Sequence, residues 1–192
     1  AGTSFTTTID DITYKFVTIA SVTSSNTGAS VPFDNVKIYE GTYTTTKYIV
    51  DTSDVNQRFI LTDARSDTST LTVKVQNSVS DTTSTTYTLA TDITQLNTES
   101  KVYFLQEVEA GRFEIYFGDG VLSQSLSDGN IVSLQYVITN KTMANGSFSF
   151  TSPGAINGTT NITVTTVSAA AGGADPEGMS SIKLKAPLNY AA

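Results

Sequence analysis

The sequence contains no cysteine and no histidine. Without thiols there are no disulfides and no thiolate metal sites. Without imidazole the commonest general base, pH switch and transition-metal ligand is missing. Tryptophan is absent too, proline occurs 4 times in 192 residues, and charged residues make up only 15%. Base is the scarcer sign: 11 Lys+Arg against 18 Asp+Glu leave a net charge of −7, which argues against nucleic acid as a partner. No apolar run approaches the ~20 residues that span a bilayer, and no signal-peptide pattern is visible, so no membrane partner is expected.

What is present is hydroxyl and aromatic. Ser and Thr exceed a quarter of the chain, and hydrophobic residues reach 39% with 9 Tyr and 9 Phe. That content supports a core. A Thr-rich, charge-poor surface fits extracellular or viral β-proteins. The length fits one large domain, or one domain carrying an inserted lobe, and buries roughly 70% of the unfolded surface. The chain lacks an initiator Met and stops at Ala191-Ala192 without a terminating element, which reads as a fragment of something longer.

The clearest local pattern is Phe113–Gly120. Phe113, Ile115 and Phe117 alternate with Glu114 and Tyr116, the period of a strand with one buried face. Gly118-Asp119-Gly120 offers a tight reversal, and Gly129-Asn130 a second corner. Val132 to Ile138 alternate again, so an antiparallel strand pair with glycine corners is expected. Elsewhere the alternation predicts a hairpin from Phe5 to Phe16 around Asp10-Asp11, extended to Val22 and followed by a loop, Ser24–Ser30. Further strands are predicted at Val36–Glu40, Tyr43–Val50, Arg58–Leu61, Leu71–Val75, Val102–Leu105, Phe148–Phe150 and Ile162–Val167. Ser78–Thr86 reads as an exposed connection. Thr91–Ser100 reads as one irregular turn with Asp92 as N-cap, and Ser181–Lys185 as a short strand or the first turn of a further element. The fold class is all-β, mainly antiparallel with little helix, in β-sandwich-like modules.

Chemistry finds little to work with. The many hydroxyls have no His beside them, no Gly-x-Ser-x-Gly elbow occurs, and Asp119 has no partner acid, so no catalytic residue is assigned. Asp51/Asp54, Asp63/Asp67 and Asp128-Gly129-Asn130 are loop acids at calcium-like spacing, but none follows the Asp-x-Asp-x-Asp-Gly pattern, and they read as solvated turns. No metal and no cofactor is expected. Tyr43, Tyr48 and Tyr190 are interface candidates on composition grounds.

The segment from Glu107 to Phe148, carrying FEIYFGDGVLS, LSDGNIVSLQY and MANGSFSF, resembles contractile-phage baseplate wedge proteins of the T4-like type, within the broader baseplate J-like family. The spacing of Gly118-Asp119-Gly120, Gly129-Asn130 and Asn145-Gly146 carries the likeness. The first hairpin and Gly172-Gly173-Ala-Asp175-Pro-Glu177 are similar to further family segments. Where the family pattern often has a glycine after the return strand, this chain has Ser123-Gln124-Ser125. The resemblance implies that residues 1–31 and 151–192 form one β module, with 32–150 inserted as a second lobe containing the FGDG hairpin. It implies a structural, non-enzymatic subunit of the virion tail baseplate, assembled in the bacterial host cytoplasm. Such a subunit would bridge wedges into the ring around the tail hub and rearrange when the sheath contracts. The implied partners are other wedge subunits and a second copy of itself. A receptor- or carbohydrate-binding β domain of a phage tail or cell surface is the alternative.

Overall fold

A computed structural model describes residues 1–25, 28 and 30–190, with the backbone alone for Met179 and residues 187–190. Asn26, Thr27 and Ala29 of the expected loop, Ala191-Ala192 and the side chain of Tyr190 lie outside the described residues. The strands are β1 (Ser4–Ile9), β2 (Ile12–Val17), β3 (Tyr39–Glu40), β4 (Thr42–Ile49), β5 (Phe59–Ile60), β6 (Ser66–Gln76), β7 (Ser84–Leu89), β8 (Val102–Glu107), β9 (Phe113–Phe117) and β10 (Ile131–Ile138). One helix follows, α1 (Met179–Tyr190). The fold is all-β in class, with a three-stranded sheet ordered β1-β2-β3 and a seven-stranded sheet ordered β4-β10-β6-β7-β8-β9-β5. Every pairing is antiparallel except that of β7 with β8.

The first hairpin forms where the sequence predicts it. Asp10 and Asp11 both take positive φ, 47° and 63°, as a two-residue turn with the twist of the flanking strands requires. Ile9 then faces Ile12 across the turn.

The large sheet curls almost into a barrel around β10, whose Val132, Leu134 and Tyr136 are fully buried. They pack with Leu61, Val73, Val75, Tyr87, Tyr103 and Ile115. Its two edges, β4 and β5, lack a backbone ladder between them, and side chains close the gap instead. Tyr48 donates its hydroxyl hydrogen to the Ile60 carbonyl at 2.7 Å, and its ring meets Phe59 edge-on at 5.6 Å. The buried Tyr136 hydroxyl lies between Thr46 Oγ1 on β4, at 3.2 Å, and Thr62 Oγ1 just past β5, at 3.5 Å. A register shift between Gln135 and Val137 interrupts the pairing of β10 with β6. There the Thr70 hydroxyl takes the hydrogen of Val137 N at 3.0 Å and donates to the Asp67 carbonyl at 2.7 Å. A bulge frees backbone groups that need partners, and Thr70 supplies them.

The small sheet carries a second core: Tyr14, Phe16, Ala144 and Phe150, with Phe5, Ile9, Ile38, Val164 and Ala170 against it. Phe16 and Phe150 meet edge-on at 4.8 Å.

Several expectations need correction. β9 and β10 are not neighbours: β9 pairs with β8 and β5, and β10 with β4 and β6. The FGDG stretch is therefore no hairpin but a wide loop, because its return residues Val121 and Leu122 point to solvent and pair with no strand. The polar run after Ser78 turns by Thr83 and becomes β7, whose Tyr87 is buried. Of Val36–Glu40 only Tyr39–Glu40 pairs as strand. Phe148–Phe150 and Ile162–Val167 form no strand: only Phe150 of the first is buried, beside the isolated bridge of Thr151 to Thr6, and the second alternates in burial without a ladder. Of the two readings of Ser181–Lys185 the strand is corrected and the helical turn stands, opened by Ser181 and Ile182 amides bonding to the Gly178 carbonyl and tied by a Lys185–Glu177 ion pair.

Candidate interaction surface

The FGDG corner stands at one end of the barrel. Gly120 takes φ +87°, and its N–H donates to the Ser123 carbonyl at 3.0 Å. Gly118 has no room for a side chain: a Cβ there would stand 1.9 Å from Ser123 Oγ. Ser123 is fully buried. The serine that replaces the expected glycine thus plugs the loop against Gly118. Asp119 Oδ1 accepts from Val121 N at 2.9 Å, and that bond is the main cause of its lowered carboxyl pKa. The acid shapes the loop.

The second corner sits beside it. Gly129 takes φ +76° and donates to the Val50 carbonyl at 2.9 Å, while Val50 N returns a bond to Asn130 O at 2.8 Å. Asn130 accepts from Ser127 N at 2.8 Å and donates to Asn77 O at 2.8 Å. These bonds tie the 118–130 loop to the 50–57 loop and to the β6–β7 turn.

Between the first two loops lies a shallow cleft of about 290 Å³, floored by Val50, Phe59, Ile115, Phe117 and Leu126. Glu114 lies at its side with 3% exposure. Arg58 Nε and Nη2 donate to its two oxygens at 2.8 and 2.6 Å, and the Tyr116 hydroxyl donates at 2.8 Å. The guanidinium holds the Glu114 carboxyl below its ordinary pKa, against burial, which pushes it up. The same carboxylate raises the Tyr116 hydroxyl. Glu114 was missed in the sequence, where only its alternation with Phe113 and Ile115 is visible. A buried charge on a strand's polar face announces itself only through a partner 56 residues away. Around the cleft, Val55 (91% exposed), Val121 (68%) and Leu122 (52%) stand in solvent on the same loops. Hydrogen-bonded acids beside exposed aliphatic side chains suit contact with another protein.

The remaining predicted corners meet each other. Asn145 donates from Nδ2 to the Gly173 carbonyl at 2.8 Å and accepts from Gly173 N at 3.1 Å. Gly146 N donates to Ala170 O, and Ala170 N to Ser147 O, both at 2.8 Å. A Cβ on Gly173 would stand 2.1 Å from the Lys141 carbonyl. Gly172 beside it takes φ +93°. The 170–173 segment is thus strapped to the 144–147 turn, 28 residues away in the chain.

Four of the loop acids, Asp51, Asp54, Asp63 and Asp67, serve their own turns, while Asp128 reaches across to the 50–57 loop. Asp51 accepts from Ser53 N at 2.9 Å, Asp54 from Asn56 N at 3.0 Å, and Asp128 from Thr52 N at 3.1 Å. Asp63 pairs with Arg65, and Asp67 takes Ser69 N at 2.9 Å. Among the described residues no group of three or more acidic side chains stands together as a metal-ion site. Tyr43 and Tyr48 are half-buried rather than exposed, and Tyr48 commits its hydroxyl to closing the barrel.

A family model described as bacteriophage baseplate wedge protein gp6, third domain, matches residues 44–149. The match covers more than half of the chain and runs from within β4 to beyond β10, along the seven-stranded sheet. No curated protein matches the sequence.

Proposed function

The chain belongs to the bacteriophage baseplate wedge protein gp6 family, and on that premise we propose that it bridges neighbouring wedges into the ring around the tail hub and shifts when the sheath contracts. The family gives it a structural role in the phage baseplate and a place in the virion tail. Its contacts in this reading are other wedge subunits and a second copy of the chain, with no nucleic acid, no membrane and no catalysis. Assembly takes place in the host cytoplasm. The observation that carries the reading is the match along the whole barrel. The loops at the barrel's end support it, with exposed Val55, Val121 and Leu122 over hydrogen-bonded acids. Specific assembly uses such shaped, apolar-centred surfaces.

The module division belongs to this proposal: residues 1–31 with 151–192, and 32–150 as the inserted lobe. Phe5, Tyr14 and Phe16 sharing a cluster with Val164 and Ala170 supports it. Ile38, Ala144 and Phe150, near the ends of the inserted stretch, also join that cluster.

Cryo-electron microscopy of the parent tail tests the function. The expected result is density for this barrel in the baseplate ring, with the 118–130 and 50–57 loops against a neighbouring subunit. Density at a tail-fibre tip, with those loops free, would overturn it and favour a receptor-binding role.

A further inference from the structure

The chain passes between its two cores twice, and both passages lie side by side. On the way out, Tyr39–Glu40 ends the small sheet and Thr42 begins the barrel, with Gly41 between. On the way back, Ile138 ends β10, and Thr139-Asn140 lead toward Ala144 and Phe150 of the small core. One carboxylate stitches the passages together. Glu40 Oε2 accepts from Thr139 Oγ1 and from Asn140 N, both at 2.7 Å, and Oε1 accepts from Asn140 Nδ2 at 2.7 Å. Gly41 fills the remaining space: it takes φ +123°, and a Cβ there would stand 2.1 Å from the Ile138 carbonyl. Its N–H donates to Lys15 O at 2.8 Å, which holds the first passage to β2.

We propose that Glu40 is the lock of this joint, holding the small sheet and the barrel at one angle so that they turn as a single body. The chemistry favours such a role. Hydrogen bonds to a carboxylate are the strong ones, and three of them converge from two consecutive residues of the opposite passage. Removing them leaves each core's own ladders and packing intact, because Glu40, Thr139 and Asn140 belong to neither buried cluster. What is lost is the cross-link. Few-residue connections at element ends are where hinge motion is absorbed, and Gly41 and Asn140 are the two such points here.

The absence of native cysteine makes the test direct. Spin labels on Thr8→Cys in β1 and Thr82→Cys in the β6–β7 turn, both exposed, report the angle as a distance distribution by pulsed electron paramagnetic resonance. In the full chain the distribution is expected to be narrow. In Glu40→Ala it broadens, while amide exchange in β2 and β10 keeps its protection. Glu40→Gln keeps one acceptor oxygen and loses the charge, and falls between the two. An unchanged distribution in Glu40→Ala would overturn the lock and assign the angle to the close fit of Gly41 against Ile138. Loss of protection in either core would also overturn it, making Glu40 a part of the fold instead.

Discussion

The barrel and the small module are built from the same kinds of residue, yet they are held by different means. In the barrel, side chains sit on strands that all have a ladder partner, on both sides except at the edges β4 and β5, and the interior closes around Leu134 and Tyr136. In the small module a three-stranded sheet leaves much of Phe16 to be covered by segments without a ladder: Phe150, Val164 and Ala170. The chain around them is fixed at isolated points by reciprocal pairs of bonds, chiefly Thr6 with Thr151 and Asn145 with Gly173. The difference teaches that alternation alone does not make a strand. A backbone must be available beside it. It also ranks the two regions for opening, since local stability follows buried contacts and laddered amides.

Breaking the barrel's centre is expected to have the largest effect. Leu134→Ala removes a fully buried side chain and should cost about 2–5 kcal/mol, read as a lower urea midpoint with protection lost across the seven strands. Phe16→Ala, in the small module, should instead release amides of β1 and β2 while those of β10 stay protected. Global loss of exchange protection in that variant would erase the distinction between the two regions.

Next comes the bulge. Thr70→Val keeps the shape of a 2%-exposed side chain but leaves the Val137 amide without its acceptor. An orphaned buried donor costs about 1–3 kcal/mol, so thermal unfolding should move down, with the Val137 amide exchanging faster than its neighbours in β10.

Legibility followed the same divide. Tyr43–Val50, Val132–Ile138 and Phe113–Phe117 were readable because a period-2 pattern of apolar residues and a ladder coincide there, even though Glu114 is buried with its apolar neighbour Ile115. The turn at Asp10-Asp11 was readable because two-residue hairpins demand positive φ, and the Asp92 cap because its carboxylate takes Thr94 N. Ile162–Val167 misled because its alternation reflects the packing of Val164 on the small core without pairing. The Phe113–Gly120 and Val132–Ile138 segments misled as a pair, since nothing local says that β8 would stand beside β9. Glu114 and Glu40 were invisible for one reason: each answers to residues 56 to 100 positions away.

Acid offers a milder way to separate the regions. Because Glu114 has a lowered pKa in the folded barrel, its contribution is full above the ordinary glutamate range. That contribution is lost as pH falls through the depressed folded value. Glu114→Gln should therefore flatten the acid limb of the barrel's stability curve, followed by urea titration at several pH values. The wild-type advantage shrinks toward low pH. An equal gap at every pH would mean that shape, not charge, holds Arg58 and Tyr116 in place. Tyr48→Phe should cost roughly 0.5–1.5 kcal/mol, the net worth of one hydrogen bond. It should loosen β5 against β4 first, seen as faster exchange at Leu61 N, which bonds to Phe113 O.

Asp119→Ala is expected to be the smallest perturbation, and it sharpens the reading of the barrel's end. The carboxylate is exposed and accepts from backbone amides of its own loop, chiefly Val121 N, bonds that water can replace. Gly118 and Gly120 keep the loop's path, because close packing on Ser123 and a positive φ are demanded there whatever stands at 119. Thermal unfolding should be nearly unchanged, with faster exchange confined to Val121 and Leu122. The informative comparison is then with assembly of the parent tail. Intact assembly leaves Asp119 a loop former, and the apolar Val121 and Leu122 become the residues to substitute next. Failed assembly of a stable variant would make the carboxylate itself a contact, and would shift the interface from the loop's apolar side to its acidic one.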